Sequence, residues 1–321
     1  MSVERPRRLI LHVGYPKTAT TTVQKSVFEA LDGVVYLAKP FSEDVAALER
    51  VVLTASDSAF DAQLPASRTL LESLLAASGA SLAIFSHEGF LRFDRHREWG
   101  GNPIRRTGSR LFRLFDGLFP TIDVLITIRE QAGMVESFCQ HFSLLSDVQQ
   151  DFRAYVDGAI AHPTKGLLGS LHYGAVCDHY ASIFGGAHIH VLPYERLGKD
   201  VTAFSAVLAA LVDRDAATIS AMLDRKALNT SRRSGAGRAR RDRSRHPLSR
   251  IRRRLPSGFR PTSIPGATRV KEVLDRLWPA PDVPIAYGPG QRDALRAVFH
   301  ASNRALDEAH DLGLDGLGYA M

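Results

Sequence analysis

Hydrophobic positions along this chain follow two rhythms, short continuous runs and recurrences every three or four residues. Leu9, Ile10, Leu11 and Val13 form a run with the bulk of a buried strand, and Gly14 and Pro16 halt it. Val23, Val27 and Leu31 then recur every four residues with Phe28 beside them, which puts them on one helical face and Thr20, Thr21 and Thr22 in its first turn. The first unit is therefore predicted as strand, tight loop, helix. Residues 33–39 predict a short strand, 45–53 and 68–77 helices, and 81–86 a further strand. An amphipathic helix over 105–118 is broken by Pro120, the β-branched run 122–128 is the next strand, and Met134, Phe138 and Phe142 mark the helix behind it. Residues 152–160, 173–184, 200–212 and 216–223 read as helices, with His188 and His190 alternating in a strand between them. Strands that alternate with helices predict an α/β fold, a three-layer sandwich around a central parallel sheet.

Composition narrows the classes. A chain of 321 residues with 45% hydrophobic and 23% charged positions can bury one large α/β core, so residues 1–321 are expected to form a single domain. No apolar stretch approaches the roughly 20 residues that a membrane helix needs. The N-terminus runs straight into the first strand without room for a signal peptide, and a cytoplasmic location is the default expectation. Cys139 and Cys177 lie far apart within helical patterns, which offers neither a disulfide framework nor a CxxC metal site. The net charge of +7 resides in one place: residues 232–254 carry eleven arginines against Asp242, a local +10 that leaves the rest of the chain at −3. This stretch is low in complexity and has no aromatic residue on which a base could stack. Residues 232–262 are thus expected to be a mobile basic insert whose partner, if any, is an anion, with no specific nucleic acid; a plain solvated insert is the alternative.

Three places carry chemistry. The loop after the first strand collects backbone N–H groups, Lys17 and several hydroxyls at the start of a helix, a setting that suits an anion. The nucleotide-triphosphate loop G-x-x-x-x-G-K-[ST] has its lysine six residues after the first glycine. Here Lys17 stands three after Gly14 and Ala19 replaces a second glycine, so that fingerprint fails and the loop is P-loop-like at most. A βα turn with a solvated lysine is the plain alternative. At the end of the strand 81–86, His87 and Glu88 are candidate acid–base groups, unless Glu88 merely caps or pairs locally. The strand 122–128 delivers Arg129, with Ser137 on the following helix; a guanidinium and a hydroxyl there suit a second phosphate, the alternative being a surface arginine paired with Glu130 or Glu136. His188 and His190 share one strand face, but with no third ligand nearby an edge-strand role is preferred and no metal is expected.

Taken together, these residues resemble a family. The stretch Tyr15, Pro16, Lys17, Thr18, Ala19, Thr20, Thr21, Thr22 is similar to the 5′-phosphosulfate loop of the sulfotransferases that use 3′-phosphoadenosine 5′-phosphosulfate (PAPS). Ile126, Thr127, Ile128 and Arg129 with Ser137 resemble their 3′-phosphate motif, and Ser86, His87 and Glu88 the strand end that holds their base. Residues 191–197, 299–306 and Gly318 with Tyr319 resemble later segments of bacterial members. Glu130 and Gln131 depart from the family's usual turn after the arginine.

The resemblance implies PAPS as co-substrate, with Lys17 acting on the leaving phosphate oxygen and Glu88 favoured over His87 as base. It extends more weakly to Asn229 and Arg232 as contacts to the 3′-phosphate. Strand alternation sends His87 and Glu88 to opposite sides, so only one of them reaches a shared cleft. The acceptor implied is a hydroxyl or amine of a carbohydrate or glycolipid. A magnesium-dependent nucleotide kinase and an inactive anion- or nucleic-acid-binding protein on the same scaffold are the competing classes.

Overall fold

Strand β1 (Arg8–His12) lies at the centre of a five-stranded sheet between β3 (Leu82–Ser86) and β4 (Thr121–Ile128), with β2 (Val34–Leu37) and β5 (Ile189–Pro193) at the edges. Every pairing in the order β2-β3-β1-β4-β5 is parallel. This computed structural model describes residues 6–38, 42–91, 103–141, 151–224, 238–239 and 283–321. Asn229, Arg232, Phe142 and all of the arginine stretch except Arg238–Ala239 lie outside the described residues. Arg238–Ala239 pair antiparallel with Val283–Pro284.

The central strands are apolar on both faces because helices cover both, as parallel sheets require. Alternation divides the core. Leu9 and Leu11, with Phe85, Val124 and Ile126, face α2 (Glu43–Thr54), α3 (Asp57–Ala76), α4 (Pro103–Phe115) and α5 (Gln131–His141). Ile10, Ile84 and Leu125 face α1 (the helical segment 20–30) and the helices Val201–Val212 and Ala216–Asp224. The three-layer α/β architecture expected from the sequence is the one observed. Leu11 is fully buried, and truncating such a residue to alanine costs about 2–5 kcal/mol.

Some elements differ from their expected form. The segment α1 is α-helical over Thr20–Thr22, π-helical over Val23–Val27 and a 3-10 turn over Phe28–Ala30. In this wider turn Gln24 and Ser26 are buried along with Val23 and Val27, and π segments concentrate at functional sites. Leu31 is extended and ends the element. Helix α3 starts eleven residues before the expected position, capped by Ser56, whose hydroxyl accepts from Ala59 N at 3.1 Å. Pro65 lies inside it and masks its first half in sequence, since proline normally ends a helix. His188 belongs to a turn just before β5.

The connection after β1 leads toward β2 on one side, and that after β4 leads to β5 on the other. β1 and β4 are neighbours, so the chain parts at their carboxyl ends and leaves the crevice where open α/β sheets bind ligands.

Candidate active site

The loop from Val13 to Ala19 is stitched to β4 by backbone. Val13 N donates to Leu125 O at 3.0 Å and Tyr15 N to Thr127 O at 3.1 Å. Gly14 has no substitute here, because a side-chain carbon on it would lie 1.8 Å from Thr127 Oγ1. Thr127 Oγ1 lies 2.7 Å from Thr18 Oγ1, and the Thr18 hydroxyl also donates to Tyr15 O. Lys17 and Ala19 are held at φ 72° and 60°, a region that costs a residue with a Cβ roughly 1–3 kcal/mol and that clusters at ligand sites. The loop therefore stores strain beside Lys17.

The expected loop residues divide by orientation. Tyr15 turns into the core, where its hydroxyl donates to Ser170 O and its ring meets Tyr173 edge-on, so only its backbone faces the loop. Pro16 and Thr18 are buried, with the Thr18 hydroxyl spent inside the loop. Thr20 and Thr22 are buried and Thr21 is partly exposed in the first turn of α1, which carries neither a side-chain cap nor an acidic residue.

Arg129 meets this loop from β4. Its Nη1 donates to Lys17 O at 3.3 Å, and its guanidinium carbon lies 4.9 Å from the centre of the Tyr194 ring. The surface ion pair left open by the sequence is not formed: among the described residues Glu130 and Glu136 pair with Arg292, and Glu130 also with Arg296. Half-burial and the nearby Arg129 guanidinium both push the Lys17 ammonium below its ordinary pKa. Two cations are thus held side by side in the crevice. Such a pair is relieved by an anion between them. Ser137 is buried on the second turn of α5.

The corner that carries Arg129 is tied down by residues remote in sequence. Tyr173 donates its hydroxyl to Arg129 O at 2.6 Å, and Glu195 Oε1 accepts from Glu130 N at 2.9 Å. Tyr319 donates to Glu195 Oε2 at 2.8 Å, and Asn303 exchanges hydrogen bonds with Gln131. Glu130, the departure from the family's turn, caps α5 by accepting from Ala132 N and Gly133 N at 3.2 and 2.8 Å. The segments 191–197 and 299–306 and Tyr319 resembled the family without any visible chemistry; three of their residues, Glu195, Asn303 and Tyr319, converge on this corner.

His87 and Glu88 lie past the end of β3, at the entry to a 3-10 turn, and have different surroundings. His87 is buried with Nδ1 accepting from Gly89 N at 2.8 Å and Nε2 3.5 Å from Glu49 of α2. Glu88, half-buried at the start of a 3-10 turn, couples electrostatically to His12 and Tyr36. His12 and Ser86, together with Gln24, are site residues that sequence reasoning missed; polar side chains at positions 12 and 86 of apolar strands were the signal. His188 Nδ1 and His190 Nε2 both lie against Asp123 Oδ1, at 3.2 and 3.1 Å, and Arg8 donates to Asp123 Oδ2 at 2.5 Å. This cluster pairs β5 to β4 at the far end of the sheet. Among the described residues no group of three or more His, Cys, Asp or Glu is arranged to hold a metal ion, and no helix is long and apolar enough to cross a membrane.

No family model matches the sequence, and no curated protein matches it. Among solved structures the chain is similar to a sulfotransferase from Alicyclobacillus acidocaldarius, at 16% identity over 66% of this chain and 83% of that chain, with a TM-score of 0.40. It is also similar to the sulfotransferase domain from the curacin biosynthetic pathway, at 13% identity over 66% of this chain and 75% of that domain, with a TM-score of 0.32. Identity this low assigns no role to any residue.

Proposed function

We propose that the protein is a sulfotransferase that moves the sulfuryl group of PAPS to a hydroxyl or amine, with a carbohydrate or glycolipid as acceptor. The observation that carries the proposal is the pairing of Lys17 and Arg129 at the carboxyl ends of adjacent strands, bridged by the hydrogen bond from Arg129 to Lys17 O. Two cations on two successive strand–helix corners match a donor with two phosphate groups, one at each end of a nucleoside. The family resemblance of the three segments around them supplies the identity of that nucleotide and the class of acceptor.

In this mechanism the acceptor oxygen or nitrogen attacks sulfur as the bond from sulfur to the 5′-phosphate oxygen breaks. Glu88 takes the acceptor proton, the leaving phosphate takes the electron pair, and adenosine 3′,5′-bisphosphate departs. Lys17 offsets the charge that grows on the leaving oxygen, and Arg129 with Ser137 holds the 3′-phosphate. A sulfuryl group carries less charge than a phosphoryl group, so a lysine and backbone N–H groups serve here. His87, engaged with Gly89 N and Glu49, is less suited to be the base than Glu88.

The test is calorimetric titration with adenosine 3′,5′-bisphosphate, with ATP as control and no added metal. Tight binding of the bisphosphate and little response to ATP is the expected result. A preference for magnesium-ATP, or no binding of either, overturns the proposal in favour of a kinase or a binding protein on this scaffold.

A further inference from the structure

Three neighbouring strands end in polar side chains on the same face of the sheet: His12 of β1, Ser86 of β3 and Thr127 of β4, each fully buried. They form a floor beneath the loop. Buried polar groups are almost always hydrogen-bonded, and here the bonds run in a chain from α1 to β3 to β1. Gln24 of α1 donates an amide N–H to Ser86 Oγ at 2.9 Å, and Ser86 Oγ lies 2.7 Å from His12 Nδ1. Ser86 accepts from Gln24 and keeps its own proton to give, and His12 Nδ1 is the acceptor in reach. With the Ser86 proton directed at Nδ1, the imidazole proton sits on Nε2, the tautomer assigned in the proposal below.

His12 Nε2 has no hydrogen-bond partner among the described residues. It lies 2.9 Å from the point where a side-chain carbon on Gly14 would be, and Thr127 Oγ1 lies 1.8 Å from that same point. The ring is wedged edge-on against Phe28, with centroids 5.6 Å apart. His12 and Thr127 thus close around the underside of Gly14, and Thr127 continues through Thr18 to the carbonyl of Tyr15.

We propose that His12 is a positioning residue for the anion loop: the Gln24–Ser86 pair locks it as the Nε2–H tautomer, and its ring sets the height of Gly14 and, through Thr127 and Thr18, the direction of Lys17. It touches neither donor nor acceptor. Burial lowers its pKa to about 4 although Glu88 pulls the other way, so the ring is neutral and adds no third positive charge to Lys17 and Arg129. The link to nucleotide binding rests on the proposed function; the position of the loop does not.

The experiment separates the two ring nitrogens. In His12→Gln the amide reaches the place of Nε2, whereas in His12→Asn it reaches only that of Nδ1; Ser86→Ala keeps the ring and removes its lock. Nitrogen NMR of the wild type is expected to read a neutral Nε2–H imidazole at neutral pH, and Ser86→Ala to lose that preference. Amide exchange at residues 14, 15 and 17–19 is expected to stay slow in His12→Gln and to quicken about tenfold in His12→Asn, with β1 to β5 unchanged. The dissociation constant for adenosine 3′,5′-bisphosphate is expected to rise about tenfold in His12→Asn and to recover in His12→Gln. A wild-type Nδ1–H tautomer, a loop that exchanges normally in His12→Asn, or faster exchange spread evenly over the sheet overturns the assignment. A wild type that ignores the bisphosphate sinks the nucleotide proposal alone, and the tautomer and exchange measurements then decide for or against His12.

Discussion

Arg129 and Lys17, 112 positions apart, share one hydrogen bond: Nη1 of the guanidinium donates to the lysine carbonyl at 3.3 Å. The bond uses one N–H group of the fork, and the guanidinium carbon lies 4.9 Å from the centre of the Tyr194 ring; in the proposed function the remaining N–H groups meet the 3′-phosphate. Replacing Arg129 with alanine removes a charge-assisted contact worth about 1.5–3 kcal/mol. Affinity for adenosine 3′,5′-bisphosphate is expected to fall between tenfold and a hundredfold by calorimetry; an unchanged value would remove Arg129 from the site.

The role proposed for Lys17 belongs to a different step. Its ammonium makes no hydrogen bond or ion pair among the described residues, and its backbone is already held in a left-handed conformation. Lys17→Ala is expected to lower turnover roughly 100- to 1,000-fold, the size seen when a donor to developing charge is removed. Turnover is measured with labelled PAPS once an acceptor has been found, and a rate near that of the wild type rules this role out.

The different surroundings of His87 and Glu88 make the choice of base testable. Glu88→Gln is expected to lower turnover by about 100-fold or more, with little change in bisphosphate binding. His87→Gln is expected to act on stability instead, because His87 packs against Phe90 and bonds Gly89 N inside the core. Equal losses of turnover in the two variants, at equal melting temperature, contradict that division.

At two loop positions a Cβ is unfavourable, so removing it from one and adding it to the other are expected to act in opposite directions. Ala19 sits at φ 60°, where a Cβ costs about 1–2 kcal/mol, so Ala19→Gly is expected to raise or hold the melting temperature. Gly14→Ala drives a carbon to 1.8 Å from Thr127 Oγ1 and is expected to destabilise by about 1–3 kcal/mol or more. Thermal melts of both variants check the pair, and a stable Gly14→Ala would mean that β4 yields more easily than its packing implies.

Acid stability depends on Asp123. Burial by itself would raise its pKa, but hydrogen bonds from His190, Arg8 and His188 together hold it well below the usual carboxylate range. A carboxylate depressed in the fold stabilises it above the unfolded pKa of roughly 4 and loses that contribution as pH falls toward the folded value. Urea melts at pH 7 are expected to show Asp123→Asn less stable than wild type by about 1–3 kcal/mol, with the difference shrinking as the pH drops below 4. A constant difference across that range contradicts the assignment.

The alternation of strands and helices was legible in the sequence. The apolar runs of β1, β3 and β4 are each followed within two residues by a glycine or a polar residue, and Lys17, Glu88 and Arg129 stand in the segments just beyond those three strands. His87 and Glu88 part at a junction that alternation does not describe, since β3 ends at Ser86 and Glu88 already begins a 3-10 turn. The three-layer fold follows from strands that alternate with helices and are apolar on both faces. What the sequence could not reveal depends on strand order. Nothing in residues 8–12 says that β4 lies beside β1, yet that adjacency brings Arg129 to Lys17 and Thr127 under Gly14. The same holds for His12 with Ser86, for Tyr15 turned toward Ser170, and for Tyr319 reaching Glu195. Periodicity reports which face of an element is buried, since that is a property of neighbours along the chain. Which elements share that burial is decided by the packing of the whole sheet, and the polar floor beneath the loop exists only once three strands from distant parts of the chain lie side by side.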